Sequence, residues 1–304
     1  MSLRTLTGIH HITAIASDPQ RNVDFYTRVL GLRLVKLTVN FDDPGSYHLY
    51  FGNHAGAPGS VLTFFLWPGV ERGQVGNGQV SAIAFAISRG TKAFWMERLE
   101  SHGVPTRDGG VRFGEPVLLF ADPDGLPLEL IETDTAERGI AQFHSATLSE
   151  EGYERTAGLF QGPMGWEAAG SEGNRFRYRP APGGATAIDV TCTPDARRGR
   201  LGGGTAHHIA YRTPDDNQQA GWRAELARLG FNVSPIMDRR YFHSIYFREP
   251  GGVLFEIATD PPGFALDEDP AHLGEHLMLP PWLERHRAMI EAALPPLTPN
   301  RAGE

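Results

Sequence analysis

The sequence predicts an α+β protein built from four copies of one strand–helix–strands module, grouped as two domains of two modules each. Three observations predict it. The length of 304 residues fits two domains of ordinary size. The phrases His10-His11-Ile12 and His207-His208-Ile209 open segments of the same pattern. Asp122-Pro123-Asp124-Gly125 and Glu249-Pro250-Gly251-Gly252 each set a turn ahead of an apolar run that contains a glutamate. Such internal repetition marks a chain assembled from one recurring unit.

The first module opens with a strand at His10–Ile15 and turns at Ser17-Asp18-Pro19. Asp18 is placed to cap a helix, Pro19 suits its first turn, and Val23, Tyr26 and Leu30 share one face. Gly31 supplies the left-handed residue that ends it. Val61–Pro68 (VLTFFLWP), the longest apolar stretch, has strand length. The second module opens at Val80–Phe85, with a helix from Thr91 to His102 ended by Gly103. Its Pro-Asp-Gly turn at 123–125 between apolar runs reads as a hairpin. The third opens at Gln142–Thr147, followed by a helix carrying Tyr153, Ala157 and Phe160. The fourth opens at His207–Arg212, and its helix over Gln218–Leu229 carries Trp222, Leu226 and Leu229 at helical spacing. The expected domains are 1–140 and 141–304, the boundary falling near Gly139–Phe143. The tail, Leu277–Ala293, reads as a Pro-initiated helix with Trp282, Leu283, His286, Met289 and Ile290 near one face. That face packs on the body or serves as a candidate homo-oligomer interface. The 36 glycines and 23 prolines are the punctuation that so many turns require.

Composition excludes several classes. A net charge of −8 repels phosphate backbones and anionic lipids, so no nucleic acid and no membrane surface is expected as a partner. One cysteine, Cys192, excludes an intramolecular disulfide framework, a cysteine zinc finger and a CxxC redox motif, and points to the cytoplasm. The sequence has no signal-peptide pattern and no apolar run long enough to span a bilayer. It also lacks a P-loop and a GxSxG elbow.

Strand periodicity then isolates the chemistry. Neighbours in a strand point to opposite faces, so one imidazole of each His-His pair can enter a shared cavity while the other turns away. Glu256 shares a face with Leu254 and Ala258 inside VLFEIA. A carboxylate there needs a cation, because an isolated buried charge is costly. Two imidazoles and one carboxylate on three strands form the ligand set of a non-haem Fe(II) site with open positions, and the same set suits catalytic zinc.

The phrases GIHHITAIASDPQRNVDFYTRVLGLRLVKLTV, YHLYFG, AHHIAYRT, DRRYFHSIYFREPGGVLFEIATD and HLGEHLMLPPWLE resemble the vicinal oxygen chelate superfamily. More narrowly, they resemble its ring-cleaving dioxygenases that act on hydroquinones, including the chlorohydroquinone enzymes. The resemblance covers nearly the whole chain. It implies βαβββ modules paired into two tandem domains, with cupped mixed sheets around one divalent metal, usually Fe(II). It carries over residue by residue: His11, His208 and Glu256 as metal ligands, with His10, Thr13, His207, Arg239 and Tyr246 lining the substrate cavity. Arg240 adjoins Arg239 and only one of the two need point inward. Tyr241, Phe242 and His243 are expected along the cavity wall. Catechol-cleaving relatives instead imply His144, His208 and Glu256; the His-His-Ile-Thr phrase favours His11. Glu129 and His144 lack a third partner, since Ala82 stands where the fourth module has His208, and are read as structural or vestigial.

The implied reaction inserts O2 into a hydroquinone-type ring, substituted or chlorinated, at an Fe(II) centre that Mn(II) or Zn(II) also fits. A small aromatic substrate and O2 are the expected partners. His10 or His207 would take the phenolic proton, Tyr246 would donate a hydrogen bond and Arg239 would stabilise anionic charge. A glyoxalase-type lyase or isomerase is the alternative enzyme; it commonly uses a second glutamate, which the first module does not offer. A drug-binding resistance protein is the non-enzymatic alternative; such proteins usually lack the ligands.

Overall fold

The fold is that of a computed structural model, which describes residues 3–134, 139–140, 142–181 and 184–299. All four modules have the order strand, helix, three strands. The first contains β1 (Ile9–Ala16), α1 (Pro19–Asp24), β2 (Arg33–Asn40), β3 (Asp43–Gly52) and β4 (Val61–Leu66). The second contains β5 (Gln79–Ser88), α2 (Lys92–Ser101), β6 (Arg107–Arg112), β7 (Glu115–Ala121) and β8 (Pro127–Thr133). The third contains β9 (Phe143–Glu150), α3 (Glu154–Gln161), β10 (Trp166–Glu172), β11 (Arg175–Pro180) and β12 (Ala187–Cys192). The fourth contains β13 (Thr205–Thr213), α4 (Asp216–Arg228), β14 (Met237–Asp238), β15 (Phe242–Arg248) and β16 (Leu254–Pro262).

The strands form two mixed sheets of eight. One runs β14-β15-β16-β13-β1-β4-β3-β2, the other β10-β11-β12-β9-β5-β8-β7-β6. The first sheet therefore joins modules one and four, and the second joins modules two and three. Each sheet takes half its strands from either side of residue 140. The 140/141 division separates pairs of modules along the chain, and the sheets recombine them in space; Ala141 itself lies outside the described residues. Within each module the first and last strands are parallel and adjacent, as in β1–β4 and β13–β16. The two modules of a sheet meet antiparallel, through β1–β13 and β5–β9.

The helix signals fall where expected. Asp18 caps α1 through Arg21 N–H, with Pro19 in the first turn. The helix then widens into a π-turn over Phe25–Val29, where Leu30 N–H reaches Phe25 O at 3.1 Å. Asp215 caps α4 through Gln218 N–H. Val23, Tyr26, Leu30, Trp95, Leu99, Phe160, Trp222 and Leu226 are buried in one continuous core between helices and sheets. Leu229 is exposed instead, because α4 ends at Arg228 just before it.

Two linkers cross between the sheets and repeat each other. Arg72 packs against Gly125 of the β7–β8 turn, and Arg198 packs against Gly252 of the β15–β16 turn. Both glycines have positive φ, 91° and 100°, so they supply backbone shape and room for the guanidinium together.

The tail departs from the sequence reading. Its helix, α5 (Arg287–Ala293), is confined to the end of the expected span and is preceded by a short 3₁₀ turn at Glu284–His286. Of the face expected to pack, Ile290 is buried while Trp282 and Met289 are exposed. Pro280 and Pro281 supply no N–H, so the regular ladder starts only beyond them. The segment before it lies along β2: Met278 N–H bonds Leu37 O and Thr38 Oγ1 donates to Met278 O. Among the described residues no helix is long and apolar enough to cross a membrane.

Candidate metal centre

The register of the first sheet gathers the chemistry. His11 pairs with Ala210 across β1–β13, and Ala210 pairs with Glu256 across β13–β16. Thr13 pairs with His208, and Tyr246 with Glu256. With side chains alternating along each strand, His11, Thr13, His208, Tyr246 and Glu256 all face the same side.

The ladder slips at both His-His pairs, and this corrects the simple alternation read from the sequence. On one side the pairing shifts between Ile9 and His11; on the other it shifts between His208 and Ala206. The extra residues are His10 and His207, each in a β-bulge that re-aims its side chain. Neighbouring rings thus meet instead of diverging. Nδ1 of His10 lies 2.9 Å from Nδ1 of His11, and the His207–His208 distance is 2.8 Å. Both ring pairs stand edge-on, with centroids 5.1 Å apart and planes at 82°.

Donor atoms of His11, His208 and Glu256 lie within 4.8 Å of one another, and all three side chains are buried. Glu256 Oε2 is 2.9 Å from His208 Nε2 and 3.4 Å from His11 Nε2, yet completes a hydrogen bond to neither. Ligands about 2.1 Å from a common ion and at right angles would stand about 3.0 Å apart, so these separations fit a shared cation. Ser244 Oγ donates to the other carboxylate oxygen, Oε1, and holds the group's rotation. Burial alone would raise the Glu256 carboxyl, but His11 and His208 outweigh it and hold the group well below the carboxylate range. Burial also lowers His208. His208 is therefore held neutral and Glu256 ionised, the protonation that binding a divalent cation requires of them. Burial holds His10 well below its ordinary value and takes His207 down to about 3. Each stays neutral and can accept from the Nδ1–H of the imidazole beside it.

The donors open into a cavity of about 30 Å³. His48, Tyr50, Phe65 and Phe242 form its walls, and Arg239 and Tyr246 close one side. Neither His10 nor His207 lines it. Arg239 lies over the Tyr246 ring at 5.5 Å, with Nε 3.3 Å from Tyr246 Oη. Its Nη1 meets Asp42 at 2.9 Å, so the β2–β3 turn and the segment between β14 and β15 are joined across the mouth. Arg240 has φ of 68° and turns toward Asp267, 3.5 Å away; of the adjacent pair, Arg239 faces the cavity. Of the three consecutive residues expected along the wall, only Phe242 lines it. Tyr241 Oη donates to Asp267, and His243 Nδ1 meets Asp216 of α4 at 2.6 Å. Alternation along β15 sends them away from the face that carries Phe242, Ser244 and Tyr246.

The second sheet repeats the register with other residues. Ser145 pairs with Ala84, which pairs with Glu129, so Ser145 occupies the place of His11 and Glu129 that of Glu256. Ala82 pairs with Thr147 as His208 pairs with Thr13. His144 is the bulged residue there and corresponds to His10, one place off the position that the catechol-enzyme pattern would give it. Protein cations fill this face. Arg112 holds Glu129 at 2.6 and 3.1 Å. Arg177 holds Asp189 at 2.7 and 3.0 Å and also reaches Glu115, which His144 Nε2 meets at 3.0 Å.

His48, Tyr50, Thr63, Phe65 and Ser244 are among the wall or supporting residues that escaped the sequence reading. The signal was present as polar residues alternating on one face of otherwise apolar strands, Tyr47-His48-Leu49-Tyr50 and Val61-Leu62-Thr63.

Residues 8–130 and 142–257 each match the family model described as the glyoxalase/bleomycin resistance protein/dioxygenase superfamily. The chain is 49% identical over 308 residues to "Putative ring-cleaving dioxygenase MhqO" of Bacillus subtilis (strain 168), covering 97% of this chain and 98% of that one. It is 37% identical over 297 residues to the "Chlorohydroquinone/hydroquinone 1,2-dioxygenase" of Sphingobium indicum, covering 91% and 92%. A crystal structure described as a "putative dioxygenase" from Bacillus subtilis subsp. subtilis str. 168 superposes with a TM-score of 0.93 at 48% identity, over 99% of this chain and all of that one.

Proposed function

The chain belongs to the glyoxalase/bleomycin resistance protein/dioxygenase superfamily, and from that premise we propose that it is an Fe(II)-dependent dioxygenase opening the ring of a hydroquinone, substituted or chlorinated. The convergence of His11, His208 and Glu256 within 4.8 Å carries this reading. Relatives named as ring-cleaving and hydroquinone dioxygenases, matched over almost their full length, support it. An iron bound there would let a spin-paired ring react with dioxygen. Mn(II) and Zn(II) are accepted by the same donors.

The chain's own residues then have separable tasks. His10 and His207 accept Nδ1–H from His11 and His208, which fixes the ligand tautomers and ring planes. Ser244 holds Glu256 Oε1 so that Oε2 faces the ion. Arg239 and Tyr246 present a guanidinium and a hydroxyl to oxygen that gains negative charge as the ring opens. Burial pushes the Tyr246 hydroxyl well above its ordinary value, so it remains a donor. Thr13, on the same face, offers a hydroxyl beside the ligands.

A lyase or isomerase of glyoxalase type would want a second carboxylate as base. Among the described residues the one carboxylate that lines the cavity is Asp42, which sits at the mouth and is tied to Arg239. The test is oxygen consumption by protein prepared and loaded with Fe(II) under nitrogen, then mixed with methylhydroquinone, chlorohydroquinone or catechol in air-saturated buffer. One O2 consumed per ring and a new absorbing ring-opened product are expected with the hydroquinones. No uptake with any of them removes the reading. His11→Ala is expected to lose both iron and uptake.

A further inference from the structure

Proton transfer from the substrate needs an acceptor, and its location follows from the walls of the cavity. His10 and His207 stand behind the ligands, outside the cavity. Asp42 is at the mouth and paired. His48, on β3, is among the described residues the one imidazole in the wall besides His11 and His208. Hydrogen bonds lead from it back to the metal centre. His48 Nε2 lies 2.8 Å from Thr63 Oγ1, and Thr63 Oγ1 lies 2.8 Å from Thr13 Oγ1. His48 Nδ1 lies 3.0 Å from Tyr50 Oη. Thr13, Thr63 and Tyr50 are almost wholly buried, so water does not short-circuit the chain.

Resting on the dioxygenase reading, we propose that His48 is the base for the phenolic proton, reached through the hydroxyls of Thr13 and Thr63. The polarity of the chain is consistent. His48 Nδ1–H donates to Tyr50 Oη, leaving Nε2 to accept from Thr63; Thr63 accepts from Thr13, and Thr13 Oγ1 keeps a lone pair for the substrate. On transfer, the substrate O–H bond breaks and its proton goes to Thr13 Oγ1. The Thr13 hydroxyl proton moves to Thr63, and that of Thr63 moves to His48 Nε2. The ring becomes imidazolium with its Nδ1–H bond to Tyr50 unchanged, and no electrons change hands. The groups facing His48 are His11 on β1, His208 on β13 and Arg239, which oppose a positive charge, and Glu256 on β16, which favours it. Burial, reinforced by those two histidines, lowers His48 well below its ordinary value. It therefore rests neutral and readily returns the proton to the opened ring.

The test uses Thr63→Val, which removes the middle hydroxyl at nearly constant volume, Thr63→Ser, which keeps it, and His48→Gln. Under nitrogen, methylhydroquinone is titrated into metal-loaded protein and phenolate formation is followed by its ultraviolet difference spectrum. In air, kcat and KM are followed against pH. In Thr63→Val and His48→Gln, kcat at pH 7 is expected to fall about 100-fold, with KM little changed. Activity should recover as pH rises and solvent takes over as base, and phenolate formation should move to higher pH. Thr63→Ser should behave as wild type. Normal phenolate formation and pH profile in Thr63→Val overturn the relay, as does Thr63→Ser failing as badly as Thr63→Val. Phenolate formation in the wild type without oxygen uptake removes the dioxygenase reading and leaves the relay standing.

Discussion

Thr156 faces two carboxylates with one hydrogen to give. Its Oγ1 lies 2.7 Å from Glu150 Oε2 and 2.6 Å from Glu249 Oε2. Glu249 also accepts from Gly251 and Val253 N–H, so Glu150 is the residue that must hold a proton of its own. Burial first, then the charge of Glu249, raises Glu150. The sign follows. The unfolded chain releases this proton near the ordinary 4.5, while the folded chain keeps it, so stability falls as pH rises from there until the folded group also ionises. Glu150→Gln keeps a hydrogen-bonding group without the titration. Its urea midpoint should match wild type near pH 4 and exceed it increasingly toward neutrality, by up to roughly 1.4 kcal/mol per pH unit. Parallel curves for the two proteins would sink the assignment. At this scale the cluster of His11, His208 and Glu256 was legible because repeated phrases flag its members. His48 was not, since its hydroxyl partner Thr63 lies on another strand and only folding brings them together.

Turns show how element-level rules and long-range packing combine. Gly204 leads into β13 with φ of 77°, and a Cβ there would overlap the carbonyl of Asp124 on the other sheet. Gly114, between β6 and β7, has φ of 80° and open space around it. Gly114→Ala should cost only backbone strain, roughly 1–2 kcal/mol. Gly204→Ala should cost that plus the displacement of β13 from the β7–β8 turn, and should also weaken metal binding through His208. Denaturant midpoints with metal titration check both; equal losses would mean that the contact yields freely. Pro-Gly turns and helix caps were readable because they act over a few residues. The bulges at His10 and His207 were not, because a bulge depends on the partner strand's register. The tail helix was overread because its apolar spacing runs through Pro280 and Pro281.

At the scale of the molecule, module count was legible and module pairing was not. Nothing local in the first phrase says that its strand will meet the fourth module's β13, where Ile9 pairs with Tyr211 across most of the chain's length; that pairing is decided by the whole chain. Fragments 1–140 and 141–304 each carry half of both sheets. Neither alone should retain metal after dialysis, since His11 lies in one and His208 and Glu256 in the other. Refolding the two together should restore about one ion per pair. Stoichiometric binding by either fragment alone would contradict the site. The ion pairs on the second sheet have a further consequence. That sheet supplies its own counter-charges. If the proposed site holds a divalent ion, removing it would bear directly on the sheet that carries His11, His208 and Glu256 and leave the ion pairs of the other sheet in place, a ready-made half onto which the emptied strands can close again.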